Sequence, residues 1–453
     1  MKHILLATYS YFPYHWGGSE VYVRGLAEYL TEQGNRVTIL GGIPVKAMDD
    51  CQKIYQDEYL TVGLYEQDGI EVIGCILQQK TEDIYSRYNP VWENAWSGFL
   101  KKYWKNKPLD FLHLHANTPL VSAAMVNAFK NYFPGLKTLY SHHVADACPK
   151  GTLMYFNQHA CNVVPGSYTC TACVMNDRLH LAPPLAKGLA AVWPVGLFGK
   201  KFPTALRLKY LTKLSLNGFR HFKNNIDYWH VFSQETAEAL ERFGLDSNKM
   251  ILIRHGVPAV FSNTANNGER NKGQQIFAFI GRFRQVKGLH VLLKAWLSLP
   301  VDNARCLWVI GGGNDPEPLL QNLINSAKKR PDVNFLGILK EEELRLKLTE
   351  IQCVIIPSQV VETGPLAFHE AIASGANVIA SDIGGCKELA KFYGEGCEVF
   401  PAKNSRILTK RILAFRFCPI KHKPFSRTEH YKKVVAEYDK ILCTAPIGAT
   451  ADK

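Results

Sequence analysis

Apolar and polar positions alternate along this chain with the period of a short strand, then of an amphipathic helix, then of a strand again. An apolar run covers His3 to Thr8, and after the Gly17-Gly18 loop the residues Glu20 to Glu32 carry apolar side chains at helical spacing. Arg36 to Leu40 is a second apolar run. A strand–loop–helix–strand unit of this kind predicts a parallel sheet.

The same alternation continues through both halves of the chain. In the first half it predicts strands at Phe111–His115, Thr138–Ser141, Tyr228–Ser233 and Met250–Arg254, and helices at Pro119–Phe129 and Gln234–Phe243. In the second half it predicts strands at Ile276–Ile280, Cys306–Ile310, Val333–Leu336, Cys353–Ile356 and Asn377–Ala380, and helices at Gly288–Leu297, Pro318–Lys329, Glu341–Glu350 and Pro365–Ser374. The pattern therefore predicts an α/β protein of two doubly wound, Rossmann-like domains that face a cleft.

The predicted domain boundaries follow from where the alternation stops. We predict a first domain over residues 1–261, with a Cys-rich and basic insertion at about 145–226, and a second domain over 276–420. Residues 262–275 are polar and rich in Asn and Gly, which is typical of a linker. Residues 421–453 should form a helix and a tail, and the sequence does not indicate where that helix packs.

Composition agrees with a globular protein that has two cores. The chain has 453 residues, of which 47% are hydrophobic and 21% charged, with a formal net charge of +13. The N-terminal residues lack the pattern of a secretory signal, and no apolar run approaches the roughly 20 residues of a membrane span. We therefore expect a cytoplasmic protein, with peripheral attachment to the inner face of the membrane left open.

Two glycine-containing turns in the second half suit a phosphorylated ligand. The turn from Gly281 to Gly288 carries Arg282 and Lys287 between a predicted strand and helix, where open parallel sheets bind ligands. A solvated basic turn is the alternative. Gly311-Gly312-Gly313 follows another predicted strand and permits close backbone approach, although it could equally be only a turn.

The segment Glu362 to Glu370 carries the strongest indication of function. Pro365 suits the first turn of a helix, so N–H groups near Gly364 and Leu366 should attract anionic oxygens. Glu370, inside that helix, could accept hydrogen bonds from a ribose diol. Glu362 could bind sugar hydroxyls or balance the nearby cations. Either glutamate alone could instead be a capping or surface residue.

Together these motifs resemble the retaining glycosyltransferases of the GT-B fold, specifically glycosyltransferase family 4. Three features of this chain are similar to motifs of that family. They are the Gly17-Gly18-Ser19-Glu20 loop, Gly281-Arg282 with Lys287-Gly288, and the two glutamates Glu362 and Glu370 with the spacing between them. Ser374-Gly375 and Ser381-Asp382 with Gly384-Gly385 match the family's pattern after the second glutamate. The resemblance covers nearly the whole chain.

The resemblance implies a role for each matched residue. Arg282 and Lys287 would neutralise the diphosphate of a UDP-, GDP- or ADP-sugar as it departs, helped by the backbone from Gly364 to Leu366. Glu370 would bind the ribose, and Glu362 the transferred sugar. Gly17 and Gly18 would approach the diphosphate and sugar from the other domain. The reaction would retain the anomeric configuration, and positive side chains would replace a catalytic metal.

His142 corresponds to the histidine of the first domain that lies near the sugar in this family. It follows the predicted strand Thr138–Ser141 and precedes Cys148 by six residues. Here the next residue is His143, where many members have Asp, so either histidine could serve. A structural histidine is the alternative.

Four of the twelve cysteines are clustered in sequence. Cys148, Cys161, Cys170 and Cys173 have the spacing C-x12-C-x8-C-x2-C, and the last pair can meet one metal ion. We predict structural zinc, with His159 able to replace one thiolate. An iron–sulfur cluster, disulfides and reduced thiols are the alternatives.

The stretch Leu179 to Ile226 contains no acidic residue. It carries eight cations, and Lys201 to Phe222 can be drawn as a basic amphipathic helix. Such a helix suits an anionic membrane surface or a lipid-linked or phosphorylated acceptor, or it simply covers the first domain.

The leading interpretation is a hexosyltransferase that builds a polysaccharide or glycolipid from a glycan or lipid-linked acceptor. The alternatives are a transferase that makes a soluble glycoside or disaccharide, a catalytically inactive sugar-nucleotide binder, and a nucleic-acid-binding protein. Only the net charge suggests the last, and neither a base-stacking sheet nor a recognition helix is visible, so we expect no nucleic-acid partner.

Overall fold

A computed structural model describes residues 1–15, 17–105, 107–143, 145–193, 204–258, 261, 273–313, 317–421 and 424–444. The chain divides into two compact units. Unit 1 comprises Met1–Val231, Ala237–Ile253 and Tyr431–Lys453, and unit 2 comprises Phe232–Thr236 and Arg254–His430. The predicted boundaries differ from this division in three places. Phe232–Thr236 and the chain from Arg254 to residue 261 belong to unit 2, and Tyr431–Lys453 belongs to unit 1.

Unit 1 is built on one large sheet and a separate small hairpin. Its strands are β1 (His3–Ser10), β2 (Arg36–Gly42), β3 (Gln52–Gln56), β4 (Leu60–Gln67), β5 (Ile70–Leu77), β6 (Phe111–Leu114), β7 (Lys137–Ser141), β8 (Met154–Tyr155), β9 (His159–Ala160), β10 (Tyr228–Val231) and β11 (Met250–Leu252). The large sheet has the order β11-β10-β7-β6-β1-β2-β5-β4-β3. Strands β3 and β4 form an antiparallel edge on an otherwise parallel sheet.

The helices of unit 1 cover this sheet. They are α1 (Gly18–Glu32), α2 (Thr81–Ser86), α3 (Val91–Tyr103), α4 (Ala123–Tyr132), α5 (Ser167–Leu179), α6 (Pro183–Val192), α7 (Leu208–Asn225) and α8 (Gln234–Arg242), whose first turn belongs to unit 2. The fully buried Trp92, Trp96 and Phe99 of α3 join Phe129 of α4 in the main core. Burial of these large apolar surfaces is the main favourable contribution to folding of the unit.

Unit 2 has a parallel sheet with a hydrophobic core on each face. Its strands are β12 (Gln275–Ile280), β13 (Arg305–Ile310), β14 (Val333–Gly337), β15 (Cys353–Ile356), β16 (Asn377–Ser381) and β17 (Cys397–Phe400), in the order β14-β13-β12-β15-β16-β17. Its helices are α9 (Leu289–Leu297), α10 (Pro318–Ala327), α11 (Glu341–Glu350), α12 (Leu366–Ala373), α13 (Gly384–Tyr393) and α14 (Ser405–Ala414). Along β12, Phe277 and Phe279 enter one core while Ile276 and Ala278 enter the other, as a doubly wound sheet requires.

The C-terminal helix α15 (Arg427–Cys443) contributes most of its length to unit 1. The Tyr431 hydroxyl donates to the main-chain carbonyl of Tyr22 at 3.0 Å, and a Cβ at Gly25 would lie 2.5 Å from that hydroxyl oxygen. Further along, the ring of Tyr438 stacks on Phe111 at 4.3 Å. The location of this helix, which the sequence did not indicate, is therefore against α1 and β6.

Several predicted elements differ from the observed ones. The helix predicted from Pro119 begins instead at Ala123, because residue Ser122 is extended and the N–H of Thr118 donates to the carbonyl of Val121 in a preceding turn. The helix predicted from Pro365 begins at Leu366, with Pro365 as its extended N-cap. Strands β3 to β5, β8, β9 and β17 and helices α2, α3, α5, α6, α13 and α14 were not predicted.

Parts of three predictions lie outside the described residues. They are residues 262–272 of the linker, residues 194–203 of the acid-free stretch, which include the start of the basic helix, and residues 422–423 and 445–453 of the C-terminal segment. In the described part of the chain, no helix is both long and apolar enough to cross a membrane.

Candidate functional site

The basic turn of unit 2 follows β12 and leads into α9. Arg282 is exposed and makes no ion pair with the described residues, whereas Lys287 is about one third exposed. Gly288 has a φ of +76°, and a Cβ there would lie 1.7 Å from the Pro357 carbonyl oxygen, so only glycine fits. The turn thus presents Arg282 to solvent and holds Lys287 against the segment after β15.

The triple glycine supports this turn through backbone contact. The N–H of Gly281 donates to the carbonyl of Ile310 at 3.0 Å, and that of Phe283 to the carbonyl of Gly312 at 2.8 Å. Gly311 has a φ of +123°, and a Cβ there would lie 2.0 Å from the Gly281 carbonyl oxygen. The close approach of these two turns therefore explains why position 311 is glycine, and no ligand is needed for that explanation.

Glu362 is held by side-chain and main-chain contacts. Its Oε1 lies 2.7 Å from Nζ of Lys287 and accepts a hydrogen bond of 2.6 Å from the Ser358 hydroxyl. Its main-chain carbonyl accepts from the N–H of Gly385 at 2.7 Å. Of the two roles predicted for Glu362, the structure shows the balancing of a cation. A charged pair held this way is preorganised for a polar ligand.

The start of α12 is the predicted anion-binding element. Pro365 has no N–H, and the N–H of Phe368 donates to the Pro365 carbonyl at 3.0 Å. By helix geometry the first-turn N–H groups of Leu366 and Ala367 have no partner inside the helix. A Cβ at Gly364 would lie 3.0 Å from Cδ2 of His255. The helix start thus offers partial positive charge beside a tightly packed backbone.

Glu370 lies one turn further along α12. Its carboxylate makes no hydrogen bond or ion pair within the described part of the chain. Burial raises the pKa of Glu370 to about 7, against a lowering influence of Arg427 and a further raising influence of Glu341. A carboxyl group with open acceptor positions and a pKa near neutrality suits the hydroxyl groups of a ligand.

The glycine loop of unit 1 precedes α1. Gly17 is the N-cap, Gly18 is the first helical residue, and a Cβ at Gly17 would lie 2.4 Å from Oε2 of Glu20. Glu20 is buried, and its Oε2 accepts a hydrogen bond of 3.0 Å from the Ser19 hydroxyl. The buried carboxylate therefore explains why position 17 is glycine.

His142 lies immediately after β7 and is completely buried. Its Nε2 lies 3.2 Å from Oδ1 of Asp146, although the two are not aligned for a hydrogen bond. Burial lowers the pKa of His142, and Asp146 opposes that shift. The other oxygen of Asp146 accepts from the Tyr140 hydroxyl at 2.6 Å. Asp146 was not predicted from the sequence, where the available signal was a carboxylate four residues after the candidate histidine.

The neighbouring His143 has a different partner. Its Nε2 lies 3.1 Å from Nδ1 of His115, and its ring contacts the ring of Tyr22 at 4.8 Å. His142 and His143 thus separate into two environments, one beside a carboxylate and one beside a second imidazole.

The four clustered cysteines lie in one neighbourhood but are not joined. All are free thiols, and the charges of Cys148, Cys161 and Cys173 each influence the pKa of Cys170, which burial raises to about 12. The N–H of Phe156 donates to Sγ of Cys173 at 3.2 Å. Among the described residues, no three Cys, His, Asp or Glu side chains stand in positions that could hold a metal ion.

Several cationic side chains of the acid-free stretch form ion pairs or hydrogen bonds within unit 1. Arg207 pairs with Glu82 at 2.6 Å, Nζ of Lys209 donates to the carbonyl of Trp193 at 2.8 Å, and Nζ of Lys223 donates to that of Gly244 at 2.8 Å. Lys213 and Arg220 of α7 remain exposed. Much of the predicted basic surface therefore serves to hold unit 1 together.

Two α/β units with parallel sheets and these strand-end turns define a GT-B fold, and comparisons with solved structures agree. Alr3699/HepE of Anabaena, solved in complex with UDP and glucose, is 14% identical and superposes with a TM-score of 0.59 over 96% of this chain and 99% of that one. Starch synthase IV of Arabidopsis thaliana, bound to ADP and acarbose, gives 13% identity and a TM-score of 0.54 over 98% and 100%.

Residues 261–427 match the family Glycosyl transferases group 1, so this part of the chain is similar to a glycosyltransferase group 1 domain. An uncharacterized glycosyltransferase of Methanocaldococcus jannaschii is 30% identical over 128 residues, which are 28% of this chain and 32% of that protein. The match thus spans about a third of that curated relative.

Proposed function

We propose that the protein is a retaining glycosyltransferase that moves a hexose-type sugar from a nucleotide-sugar donor to a glycan or lipid-linked acceptor. The observation that carries the proposal is the Lys287–Glu362 pair, held by Ser358 in the segment that leads into α12. The group 1 domain contains this pair, Arg282 and Glu370.

The proposed donor site separates the parts of a nucleotide sugar by their chemistry. Arg282, Lys287 and the first N–H groups of α12 supply positive charge for a diphosphate. Glu370 would accept hydrogen bonds from the ribose hydroxyls, and Glu362 from the transferred sugar. Gly17, Gly18 and His142 remain predicted contributors from unit 1.

In the proposed reaction the bond between the anomeric carbon and the diphosphate oxygen breaks. The acceptor oxygen forms a bond to the same face of that carbon, and its proton leaves with the departing diphosphate. Negative charge grows on the leaving group, so fixed cations and N–H dipoles stabilise the transition state more than the bound donor. We propose that Arg282 and Lys287 fill the place of a catalytic metal.

The acceptor side of the proposal rests on the surface of α7. The exposed cations Lys213 and Arg220 favour an acceptor on an anionic membrane over a free sugar or small metabolite. A transferase that makes a soluble glycoside is the second candidate, since most other described cations of that stretch have local partners.

The proposal is tested with a panel of UDP-, GDP- and ADP-sugars. We expect at least one of these nucleotide sugars to raise the melting temperature of the protein and to be hydrolysed slowly when no acceptor is present. An NMR spectrum of the hydrolysis mixture should show a sugar product whose anomeric configuration is that of the donor. Glu370→Ala should weaken the effect of that donor. If no nucleotide sugar stabilises the protein and Glu370→Ala changes nothing, the proposal is wrong.

We also retain structural zinc as a proposal for Cys148, Cys161, Cys170 and Cys173. Their shared neighbourhood supports it, although the thiols would have to turn toward one centre. Elemental analysis of the full chain should then find about one zinc per chain, absent from a Cys170→Ser/Cys173→Ser variant. A preparation without zinc or iron, and with these four thiols reactive after denaturation, would support reduced thiols instead.

A further inference from the structure

Two cysteines of unit 2 lie where the chain after α14 passes the start of β17. Cys397 is the first residue of β17, and Cys418 belongs to residues 415–421, which follow α14. Both are free thiols, and both are half-buried. They are 21 positions apart in the sequence, so the fold brings them together and local spacing does not.

The chain after α14 runs beside the start of β17 in the opposite direction. Nζ of Lys421 pairs with Oε2 of Glu395 at 2.8 Å. A Cβ at Gly396 would lie 2.5 Å from Cδ1 of Ile420 and 3.3 Å from the main-chain oxygen of Cys418. Residue numbers fall on one segment as they rise on the other, so the next residue of β17 is the one that faces Cys418.

The buried side chain of Asn377 fixes the main chain of Cys418. Its Nδ2 donates to the carbonyl of Cys418 at 2.6 Å, and its Oδ1 accepts from the N–H of Cys418 at 2.8 Å. Asn377 begins β16 and precedes Val378, whose Cα partner on β17 is Cys397. One asparagine thus holds Cys418 beside the strand pair that carries Cys397, and a position held in advance favours bond formation.

The environment of Cys397 decides the order in which the two thiols react. Burial, helped by the charge of Cys418, raises the pKa of Cys397 to about 12. Cys397 is therefore held as the thiol at neutral pH, and the thiolate is the form that attacks a disulfide. We expect Cys418 to react first with a disulfide in solution and Cys397 to react second.

Cys353 also lies near Cys397 but is in the wrong place to bond with it. Burial raises the pKa of Cys353 well above its ordinary value, and the charge of Cys397 contributes to that shift. Cys353 is on β15, and β16 lies between β15 and β17. Strands two apart are separated by about 9–10 Å, whereas a disulfide needs Cα atoms within about 7 Å. Cys418 is therefore the partner that this geometry favours.

We infer that Cys397 and Cys418 are a redox modification site, which a small disulfide such as oxidised glutathione converts into a disulfide bond within unit 2. The thiolate of Cys418 attacks one sulfur of oxidised glutathione and releases one glutathione thiolate. The thiol of Cys397 then loses its proton to solvent and attacks Sγ of Cys418, which releases the second glutathione. Two protein thiols are oxidised, and one glutathione disulfide is reduced to two thiols.

The test treats the folded full chain with oxidised glutathione and blocks the remaining thiols before digestion with trypsin. Residues 392–403 contain Cys397 and residues 417–421 contain Cys418, so mass spectrometry should find these two peptides linked. Dithiothreitol should separate them. The linked pair should be at least about 10-fold more abundant from the folded chain than from chain unfolded in urea, where the cost of closing the loop is not offset by the fold.

The two cysteine variants should differ from each other. In Cys397→Ser, residue Cys418 should be recovered as a mixed disulfide with glutathione, whereas in Cys418→Ser, residue Cys397 should stay a free thiol. Cys443→Ser is the matched control, since it removes an exposed thiol of α15 and should leave the linked peptides unchanged. If wild type itself yields a mixed disulfide at Cys418 and a free thiol at Cys397, the two thiols do not meet and the inference is wrong.

Thermal stability shows whether the bond fits the native fold. Oxidised wild type should melt about 5 °C above reduced wild type, because the bond restricts the unfolded chain. Cys418→Ser should lose this difference, and Cys443→Ser should keep it. Linked peptides together with a lower melting temperature would mean that the bond distorts unit 2, and would also overturn the inference. Neither measurement uses a nucleotide sugar, so a failure here is distinguishable from a failure of the proposed function.

Discussion

The candidate sites of the two units differ in how their polar groups are satisfied. In unit 2 the cation Lys287 is paired with Glu362, and Arg282 is exposed. In unit 1 His142 is completely buried, neither of its ring nitrogens makes a hydrogen bond, and burial lowers its pKa. The first arrangement suits a charged diphosphate that sheds its own hydration, and the second suits a neutral sugar that replaces water. Under the proposed function, the two units would receive chemically different parts of the substrates.

Lys287→Ala should have the largest effect. The change removes the positive charge that would lie beside the diphosphate, and it leaves Glu362 without its ion-pair partner. We expect kcat for transfer or donor hydrolysis to fall about 100- to 1000-fold. Lys294→Ala, an exposed lysine on α9, is the control and should behave as wild type. If the Lys287→Ala variant has a normal kcat, the charge of Lys287 does not contribute to the mechanism.

Gly311→Ala should destabilise unit 2, since its Cβ would clash with the Gly281 carbonyl oxygen at a left-handed φ. We expect the free energy of unfolding to fall by about 2–3 kcal/mol in urea titrations. Gly312→Ala is the matched control; its Cβ would meet only the Ile338 side chain, at 3.2 Å, and should cost less than about 1 kcal/mol. Equal effects of the two changes would show that the turn contact is not what requires glycine.

Glu370 should make donor binding depend on pH. Its pKa of about 7 in the free chain is raised, so its carboxylate is protonated as pH falls below 7 and then accepts ribose hydroxyls poorly. Between pH 8 and pH 6 we expect the affinity for a nucleotide sugar, which does not titrate there, to fall about 10-fold. Glu370→Gln should bind weakly at both pH values. A wild-type affinity that stays constant over this range would contradict the assignment.

Lys213→Ala should have the smallest effect and concerns the surface of unit 1 rather than the buried His142. Co-sedimentation with vesicles of phosphatidylcholine and phosphatidylserine at low salt should weaken about 5-fold, as expected for one surface cation. Lys101→Ala on α3 is the control for loss of one exposed charge. If wild type does not bind these vesicles at all, membrane attachment is excluded and a soluble acceptor is favoured.

The contact between Lys287 and Glu362 in unit 2 could be predicted, because candidate residues of this unit are close in sequence or lie at adjacent strand ends. The order Arg282, Lys287, Glu362 and Glu370 follows the strand–turn–helix pattern that local periodicity shows. The exact start of α12 was not predictable, since Pro365 is compatible with both the N-cap and the first turn.

The site of unit 1 was only partly predictable, because its contacts depend on loop conformation. The resemblance to the family pointed to His142, but the sequence could not show that Asp146 would turn back toward it. The antiparallel strands β4 and β5 were missed despite a local signal: Asp68 and Gly69 both have positive φ in the turn that joins them, as an Asp-Gly hairpin predicts. The packing of Tyr431 on α1 could not be predicted from the sequence and is visible only in the tertiary structure.

The central claim is that unit 2 recognises a diphosphate through Arg282 and Lys287, and calorimetry with nucleosides and their diphosphates tests it most directly. For the preferred base, we predict that the diphosphate binds at least about 100-fold more tightly than the nucleoside. Arg282→Ala and Lys287→Ala should each remove a large part of that difference, whereas Lys294→Ala should keep it. A nucleoside that binds as tightly as its diphosphate, or a preference that survives both substitutions, would contradict the account.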